Sequence, residues 1–171
     1  MLLKTFVIQP FYIPSGSMIP TLELQDRVMV SKLNYRFGEI QHGDIVVFES
    51  GPETDETVPE AVVRAVLDAL GISTPGQEDL IKRVIALEGD TVEISDNQVI
   101  VNGEAISEPY LNSDVDMSDM PERTIPEGEL WVMGDNRNDS SDSRIIGPIR
   151  HDAVIGEAVV RIWPLDRLGG L

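Results

Sequence analysis

Leu80-Ile81-Lys82-Arg83-Val84-Ile85-Ala86-Leu87 (residues 80–87) is an apolar octet broken by two adjacent cations. It reads as a strand, stopped by the turn pair Gly89-Asp90. Alternation then puts Leu80, Lys82, Val84 and Ala86 on one face, with Ile81, Arg83 and Ile85 on the other. A lysine in such company either snorkels to water at an edge or is buried for a reason. Burial disfavours the ammonium and lowers its pKa from about 10.4. An amine so shifted can take a proton from a serine hydroxyl, whereas the Arg83 guanidinium cannot deprotonate.

Similar strand signals extend outward on both sides. Thr5 to Ile13 is rich in β-formers, Asp26 to Lys32 alternates, and Ile45 to Phe48 is a short apolar run opened by Gly43-Asp44. Downstream, Thr91–Ile94 and Gln98–Val101 flank a turn at Asp96-Asn97, and Asn102-Gly103 is a second turn dipeptide. Leu130–Met133 and Val154–Trp163 complete the strand set. Between them, 107–129 reads as loop. Its acids Asp114, Asp116, Asp119 and Glu122 read as solvated surface, with a calcium site as the alternative. Residues 49–79 form an acidic, proline-containing insertion. Inside it Pro59 to Leu70 has helical apolar spacing, with Pro59 in the first turn and Gly71 as cap. The expected fold is mainly β: a partly closed antiparallel β-barrel or sandwich across residues 1–171, with one short inserted helix.

The chain has 171 residues and a formal net charge of −17, with no cysteine. That charge argues against nucleic acid as a partner, because phosphate binding needs clustered Lys and Arg. Any membrane-facing patch must be locally less acidic than the average. Disulfides and thiolate metal sites are excluded. Met1 to Pro14 is apolar, but prolines and Lys4 interrupt it, and it is too short to span a bilayer. It reads either as the start of a chain cut from a longer one or as a plain apolar strand.

Two further segments carry chemistry. Pro14-Ser15-Gly16-Ser17-Met18-Ile19-Pro20-Thr21-Leu22 is a shaped loop able to hold a serine hydroxyl beside backbone N–H groups. A serine nucleophile needs a base. The two histidines, His42 and His151, lie in polar turn contexts, which makes a Ser-His-Asp triad the weaker proposal. The third segment is Gly134-Asp135-Asn136-Arg137-Asn138-Asp139-Ser140-Ser141-Asp142-Ser143-Arg144, a turn-rich loop in which a serine could aim a neutral lysine.

Together PSGSMIPTL (14–22), GDIVVF (43–48), LIKRVIALEGD (80–90) and GDNRNDSSDSR (134–144) resemble the type I signal peptidases, membrane-bound Ser–Lys proteases, in the family's own order. The resemblance implies Ser17 as nucleophile and Lys82 as general base. It further implies Ser15 and the Ser17 N–H as oxyanion donors. Ser140 would orient the amine, with Asp142 and Arg144 holding its loop. It implies no cofactor and no metal. The implied partners are preprotein signal peptides and a lipid bilayer surface, at the extracytoplasmic face of the plasma membrane. Signal peptides end in small residues at −3 and −1, so two shallow apolar pockets are expected, with Ile13 and Ile81 as lining. The substrate is expected to add as a strand beside residues 80–84. Phe6, Val7, Phe11 and Tyr12 are candidates for bilayer contact, with core burial as the rival. Where this chain has Ala86-Leu87-Glu88, family members usually have Gly-Leu-Pro, and Asn138-Asp139 inverts the usual order. Family members carry one or two membrane segments before the serine motif, so a truncated or partial chain is expected. Two other classes fit parts of the pattern: a self-cleaving repressor-type Ser–Lys protease, and a non-catalytic peptide-binding β-domain.

Overall fold

The structure, a computed structural model, describes residues 8–32, 39–50 and 78–171. The expected helix at 59–70 and the bulk of the acidic insertion lie outside these residues, as do residues 5–7 of the first expected strand.

Twelve strands are present among the described residues: β1 (Ile8–Tyr12), β2 (Arg27–Ser31), β3 (Ile45–Ser50), β4 (Glu78–Ala86), β5 (Thr91–Ser95), β6 (Gln98–Val101), β7 (Glu104–Ala105), β8 (Met120–Thr124), β9 (Glu129–Met133), β10 (Ile149–Arg150), β11 (Val154–Trp163) and β12 (Gly169–Gly170). One short helix, α1 (Ser143–Ile146), leads from the 134–144 segment toward β10. The larger sheet runs β1-β2-β11-β3-β4-β9-β10, with β12 added on β11; the smaller runs β7-β6-β5-β8. All pairings are antiparallel, and along this order neither sheet closes on itself. The mainly-β expectation therefore holds, as two open sheets rather than a closed wall.

Burial follows the sequence pattern. In β2, Val28 and Val30 are buried while Arg27 is exposed, as expected of a strand with one covered face. Strand β3 is covered on both faces, which is why its first four residues are all apolar. Ile45 and Val47 pack with Ile13, Met18, Leu22, Val28 and Ile81, while Val46 and Phe48 pack with Val84, Leu130 and Val154. A third cluster joins the sheets: Ile85, Ala86, Trp131 and Met133 from β4 and β9 meet Val92, Ile94, Val99 and Val101. Strand β4 thus contributes to all three clusters, through Ile81, Val84, and Ile85 with Ala86.

The β5–β6 hairpin turns through Asp96 (φ 51°) and Asn97 (φ 62°), and β6–β7 through Asn102 (φ 53°) and Gly103 (φ 80°). Both are left-handed pairs of the kind that match strand twist in two-residue hairpins. The segment expected to be loop contains β8, which pairs with β5 through Thr91↔Thr124 and Ile94↔Met120. Four of its five residues are exposed, so it carries no alternating apolar signal. The expected insertion is also trimmed, because residues 49–50 belong to β3 and 78–79 to β4.

Gly156 in β11 allows β2 to approach: an added Cβ would lie 2.7 Å from the Ser31 carbonyl oxygen and 2.8 Å from Val30 Cγ1. The nearer obstacle is backbone, which cannot swing away. Gly156→Ala is therefore expected to cost about 1–3 kcal/mol, a fall in Tm of roughly 3–8 °C in a melting experiment. Gly169→Ala, which meets open space, is expected to melt like the parent.

Candidate active site

The 14–22 loop is fastened by its own apolar residues. Met18 and Leu22 are fully buried beside Ile13. Ile19 N–H donates to Gly16 O (3.1 Å) and Leu22 N–H to Met18 O (2.9 Å). This tight turn presents Ser17, 9% exposed, toward β4. There Lys82 is 2% exposed. Its Nζ lies 2.8 Å from Ser17 Oγ and donates to the Ile81 carbonyl at 2.9 Å. Of the two local readings of Lys82, the fold takes the buried one.

Burial draws the Lys82 amine down to about 8, with the negative charge of Asp142 partly opposing the shift. No carboxylate lies within ion-pair distance of it among the described residues. The other cations nearby, buried Arg83 and Arg137 and half-buried Arg144, are all paired. Arg83 Nε donates to Asp135 Oδ1 (2.9 Å) and Nη2 to Oδ2 (2.6 Å), while Nη1 reaches Gly43 O (2.9 Å). The Tyr110 ring lies 4.0 Å from its guanidinium carbon. Arg137 donates to Gly134 O (3.0 Å) and to both carboxylate oxygens of Glu108. Arg144 brackets Asp142 through Nε and Nη2, each at 2.8 Å.

These pairs shape residues 134–144. Burial pushes the Asp142 carboxyl up, but Arg144 and the Gly134 N–H outweigh it and hold the group below the ordinary carboxylate range. Asp142 also caps α1 by accepting from Arg144 N–H. Ser143 Oγ accepts from Val132 N–H (2.9 Å), tying the segment to β9. The loop then reaches the serine segment directly. Thr21 Oγ1 donates to Asp135 Oδ2. Asn136 donates its N–H to Ser17 O (3.0 Å) and its side-chain amide to Gly16 O (3.1 Å). Gly134 permits this contact, since a Cβ there would lie 2.5 Å from Ser17 O and 2.2 Å from Ser140 Oγ.

The structure thus brings Ser17, Lys82, Ser140, Asp142 and Arg144 into one neighbourhood. Ser140 Oγ is buried there beside Asp142, whose carboxyl its hydroxyl helps to hold low. The Lys82 amine donates to Ile81 O. Ser15 is exposed and lines a cavity of about 570 Å³ between residues 11–15 and 79–81, floored by Val47. Ile13 and Ile81 line the same cavity. Beyond Lys82, β4 is taken: Arg83 pairs with Met133 and Val84 with Val132. Among the described residues, the second edge of β4 is therefore without a partner strand at 78–82, whereas the expected 80–84 includes the paired Arg83 and Val84.

His42 bonds to Asp90 (2.7 Å), and exposed His151 opens a 3₁₀ turn at 151–153. The acids at 114–119 fasten loops: Asn138 binds Asp114 O and Asp116 N–H, and Asp119 accepts from Asp96 N–H. Among the described residues no three His, Cys, Asp or Glu side chains converge as metal ligands. Sequence reading passed over Asn136, Thr21, Glu108 and Tyr110. The one available signal was an aromatic residue, Tyr110, set in an acidic loop.

Residues 1–163 match the family described as "Signal peptidase, peptidase S26". The chain is 40% identical over 169 residues to "Signal peptidase I" of Leptolyngbya laminosa, covering 99% of this chain and 75% of that protein. Identity is also 40%, over 210 residues, to "Probable signal peptidase I" of Mycobacterium leprae, covering 98% and 72%. "Probable thylakoidal processing peptidase 2, chloroplastic" of Arabidopsis thaliana is 34% identical over all of this chain and 42% of its own length. A crystal structure of signal peptidase I from Enterococcus faecalis superposes with a TM-score of 0.52 at 29% identity, covering 70% of this chain and 96% of that one.

An ammonium held in this dry site opposes folding. A pKa lowered from 10.5 to about 8 corresponds to roughly 3 kcal/mol. The cost is full below about pH 8, where both folded and unfolded chains carry the proton, and is relieved as pH rises toward the unfolded value near 10.4. Lys82→Met is therefore expected to raise Tm by several degrees at pH 7, with a smaller gain at pH 10. Scanning calorimetry at the two pH values reads the difference. An unchanged or lower Tm at pH 7 counts against a desolvated lysine.

Proposed function

The chain belongs to the signal peptidase family, and from that premise we propose that Ser17 is the nucleophile and Lys82 the general base. The protein is a serine endopeptidase, and its reaction is the removal of signal peptides from preproteins. One observation carries the assignment of roles: a buried amine lowered to about 8 lies 2.8 Å from a serine hydroxyl. Roughly a tenth of such an amine is neutral at pH 7, and more as pH rises.

Neutral Lys82 takes the Ser17 proton as Oγ attacks the carbonyl carbon of the residue before the scissile bond. The Ser15 hydroxyl and the Ser17 N–H receive the negative charge that forms on the carbonyl oxygen. As the C–N bond breaks, the Lys82 ammonium returns its proton to the departing amine, leaving an acyl ester on Ser17. Lys82 then takes a proton from the water that attacks the ester carbon and returns it to Ser17 Oγ as the ester C–O bond breaks, which releases the carboxyl product and restores the enzyme. In this reading Ser140 accepts a bond from the amine when the Ser17 hydroxyl is engaged, with Asp142 and Arg144 holding its loop.

The 78–82 edge and the adjoining cavity support a preprotein bound as an extended strand, small side chains pointing toward Ile13 and Ile81. The protein works at a membrane, on its extracytoplasmic face. Tyr12, Arg27 and Trp163 stand directly opposite one another on β1, β2 and β11, so they share one face. All three are exposed, with exposed Leu165 and Leu168 following, and this row is our candidate for bilayer contact. Phe11 packs partly on the core, and residues 6–7 lie outside the described set. No described helix is long and apolar enough to cross a membrane.

Cleavage of a preprotein in detergent or lipid is expected to fall about 10⁴-fold or more in Ser17→Ala and in Lys82→Ala. Lys82→Arg should be as inactive as alanine, since its charge cannot be lost. In the parent, kcat/KM should rise with pH through about 8 and then level. A limb that continues beyond pH 10 would overturn the buried-base assignment, as would parental activity in Lys82→Arg.

A further inference from the structure

The Gly16–Ser17 peptide is gripped at its oxygen. Gly16 O accepts from Ile19 N–H at 3.1 Å, inside the turn, and from the Asn136 side-chain amide at 3.1 Å, across 120 residues of chain. On the far side of the same carbonyl sequence, Ser17 O accepts the Asn136 backbone N–H at 3.0 Å. A trans peptide is planar, with C=O and N–H pointing in opposite directions. Fixing the Gly16 oxygen therefore fixes the direction of the Ser17 N–H. That N–H donates to no acceptor among the described residues, and it belongs to the residue whose Oγ faces Lys82.

We propose that Asn136 is a positioning residue for the oxyanion site, holding the Gly16–Ser17 peptide plane so that the Ser17 N–H points at the forming negative charge. The inference rests on Ser17 being the nucleophile. Orientation matters because a donor prepared in advance needs no reorganisation as charge develops, and loss of one such donor costs about 10²–10³ in rate. Asn136 also withdraws electron density from the peptide through its oxygen, which strengthens the N–H as a donor. Two bonds from one residue to successive carbonyls leave the plane little freedom to rotate. Asn136 itself is held by its neighbour, since Asp135 is clasped by Arg83 and Thr21. It need not touch substrate.

The test uses Asn136→Ala, which removes the side-chain donor, and Asn136→Asp, which keeps its shape but offers an acceptor to the carbonyl. Both keep the backbone bond to Ser17 O. Cleavage of a signal-peptide substrate should show kcat reduced about tenfold in the alanine variant and further in the aspartate variant, with KM within about twofold. In the alanine variant the pH at which kcat/KM levels should stay where it is in the parent, since Lys82 is not addressed; the aspartate variant adds a charge that favours the Lys82 ammonium and is compared at the pH where each variant levels. A peptide aldehyde with a small terminal residue adds the Ser17 hydroxyl across its C=O and places an oxygen in the oxyanion site. Its inhibition constant should weaken by the same factor as kcat, while that of the matching peptide acid should not.

Parental kcat in a folded Asn136→Ala overturns the proposal. A loss confined to KM also overturns it, by making Asn136 a substrate contact, and so does a rate loss accompanied by a shifted pH limb. If the alanine variant fails to fold, Asn136→Ser, which withdraws the donor from Gly16 O without adding charge, decides in the same way. Failure of the underlying assignment looks different: Ser17→Ala would cleave, or the aldehyde would not inhibit the parent.

Discussion

A primary amine buried without a carboxylate is the constraint around which this molecule is arranged. Desolvation makes the ammonium costly, and that cost is what brings Lys82 down to about 8. The fold sustains it by keeping water and acids away from one side chain on β4 while leaving a serine hydroxyl within hydrogen-bond reach. Two features make this possible. Strand β4 runs between three apolar clusters, so Lys82 is surrounded by packed side chains. The nearby buried acids are each committed to an arginine: Asp135 to Arg83, Asp142 to Arg144, Glu108 to Arg137. A carboxylate released from its arginine would become a counter-ion for Lys82 and raise its pKa, which removes the base.

The arginine pairs also explain what the smaller sheet contributes. Residues 106–112 leave it and deliver Glu108 and Tyr110 to the larger one. Tyr110 covers the Arg83 guanidinium and donates its hydroxyl to Glu108 at 2.8 Å. Burial and the neighbouring Glu108 charge raise the Tyr110 hydroxyl well above its usual value, so it stays neutral and stays a donor. The path from Lys82 to its serine then closes on itself: Arg83 to Asp135, Asp135 to Thr21, Asn136 to Ser17. Strand and serine loop are far apart in sequence and meet through side chains with paired donors and acceptors. Such fully satisfied polar networks specify one geometry, because each alternative leaves a buried group unpaired.

Much of this was legible in the sequence, and the parts that were not share a cause. Alternation located β2, where Val28 and Val30 are buried and Arg27 is exposed, and the turn pair Asp96-Asn97 located β5 and β6. The runs at Ile45–Phe48 and Leu130–Met133 were legible because both faces are covered. Strand β8 escaped because Met120-Pro121-Glu122-Arg123-Thr124 is an exposed edge whose strand character comes only from pairing with β5. The burial of Lys82 was undecidable locally, since the same octet at a sheet edge would let the amine reach water. Its fate is set by β3 and by the loop ending at Leu22. Asn136 read as a turn former because asparagine after Gly-Asp usually is one. Nothing in the neighbouring residues reports that its amide reaches Gly16.

A lysine base also differs from a histidine base in what it demands of the scaffold. Imidazole titrates near neutrality with little help, so it can act from a half-exposed position. Here His42 does the opposite: it is exposed and spends its nitrogen on Asp90, fastening the 41–44 turn to the β4–β5 connection. An amine must be moved by about two pH units or more before it is a useful base near pH 8, and only a packed interior can supply that. The Ser17–Lys82 pair is therefore not a graft on an indifferent scaffold. Any change that admits water beside β4, even one distant from Ser17, raises the amine and lowers the rate at pH 7 without touching a reacting atom. The same change relieves the desolvation cost and stabilises the chain, so stability and activity pull on Lys82 in opposite directions.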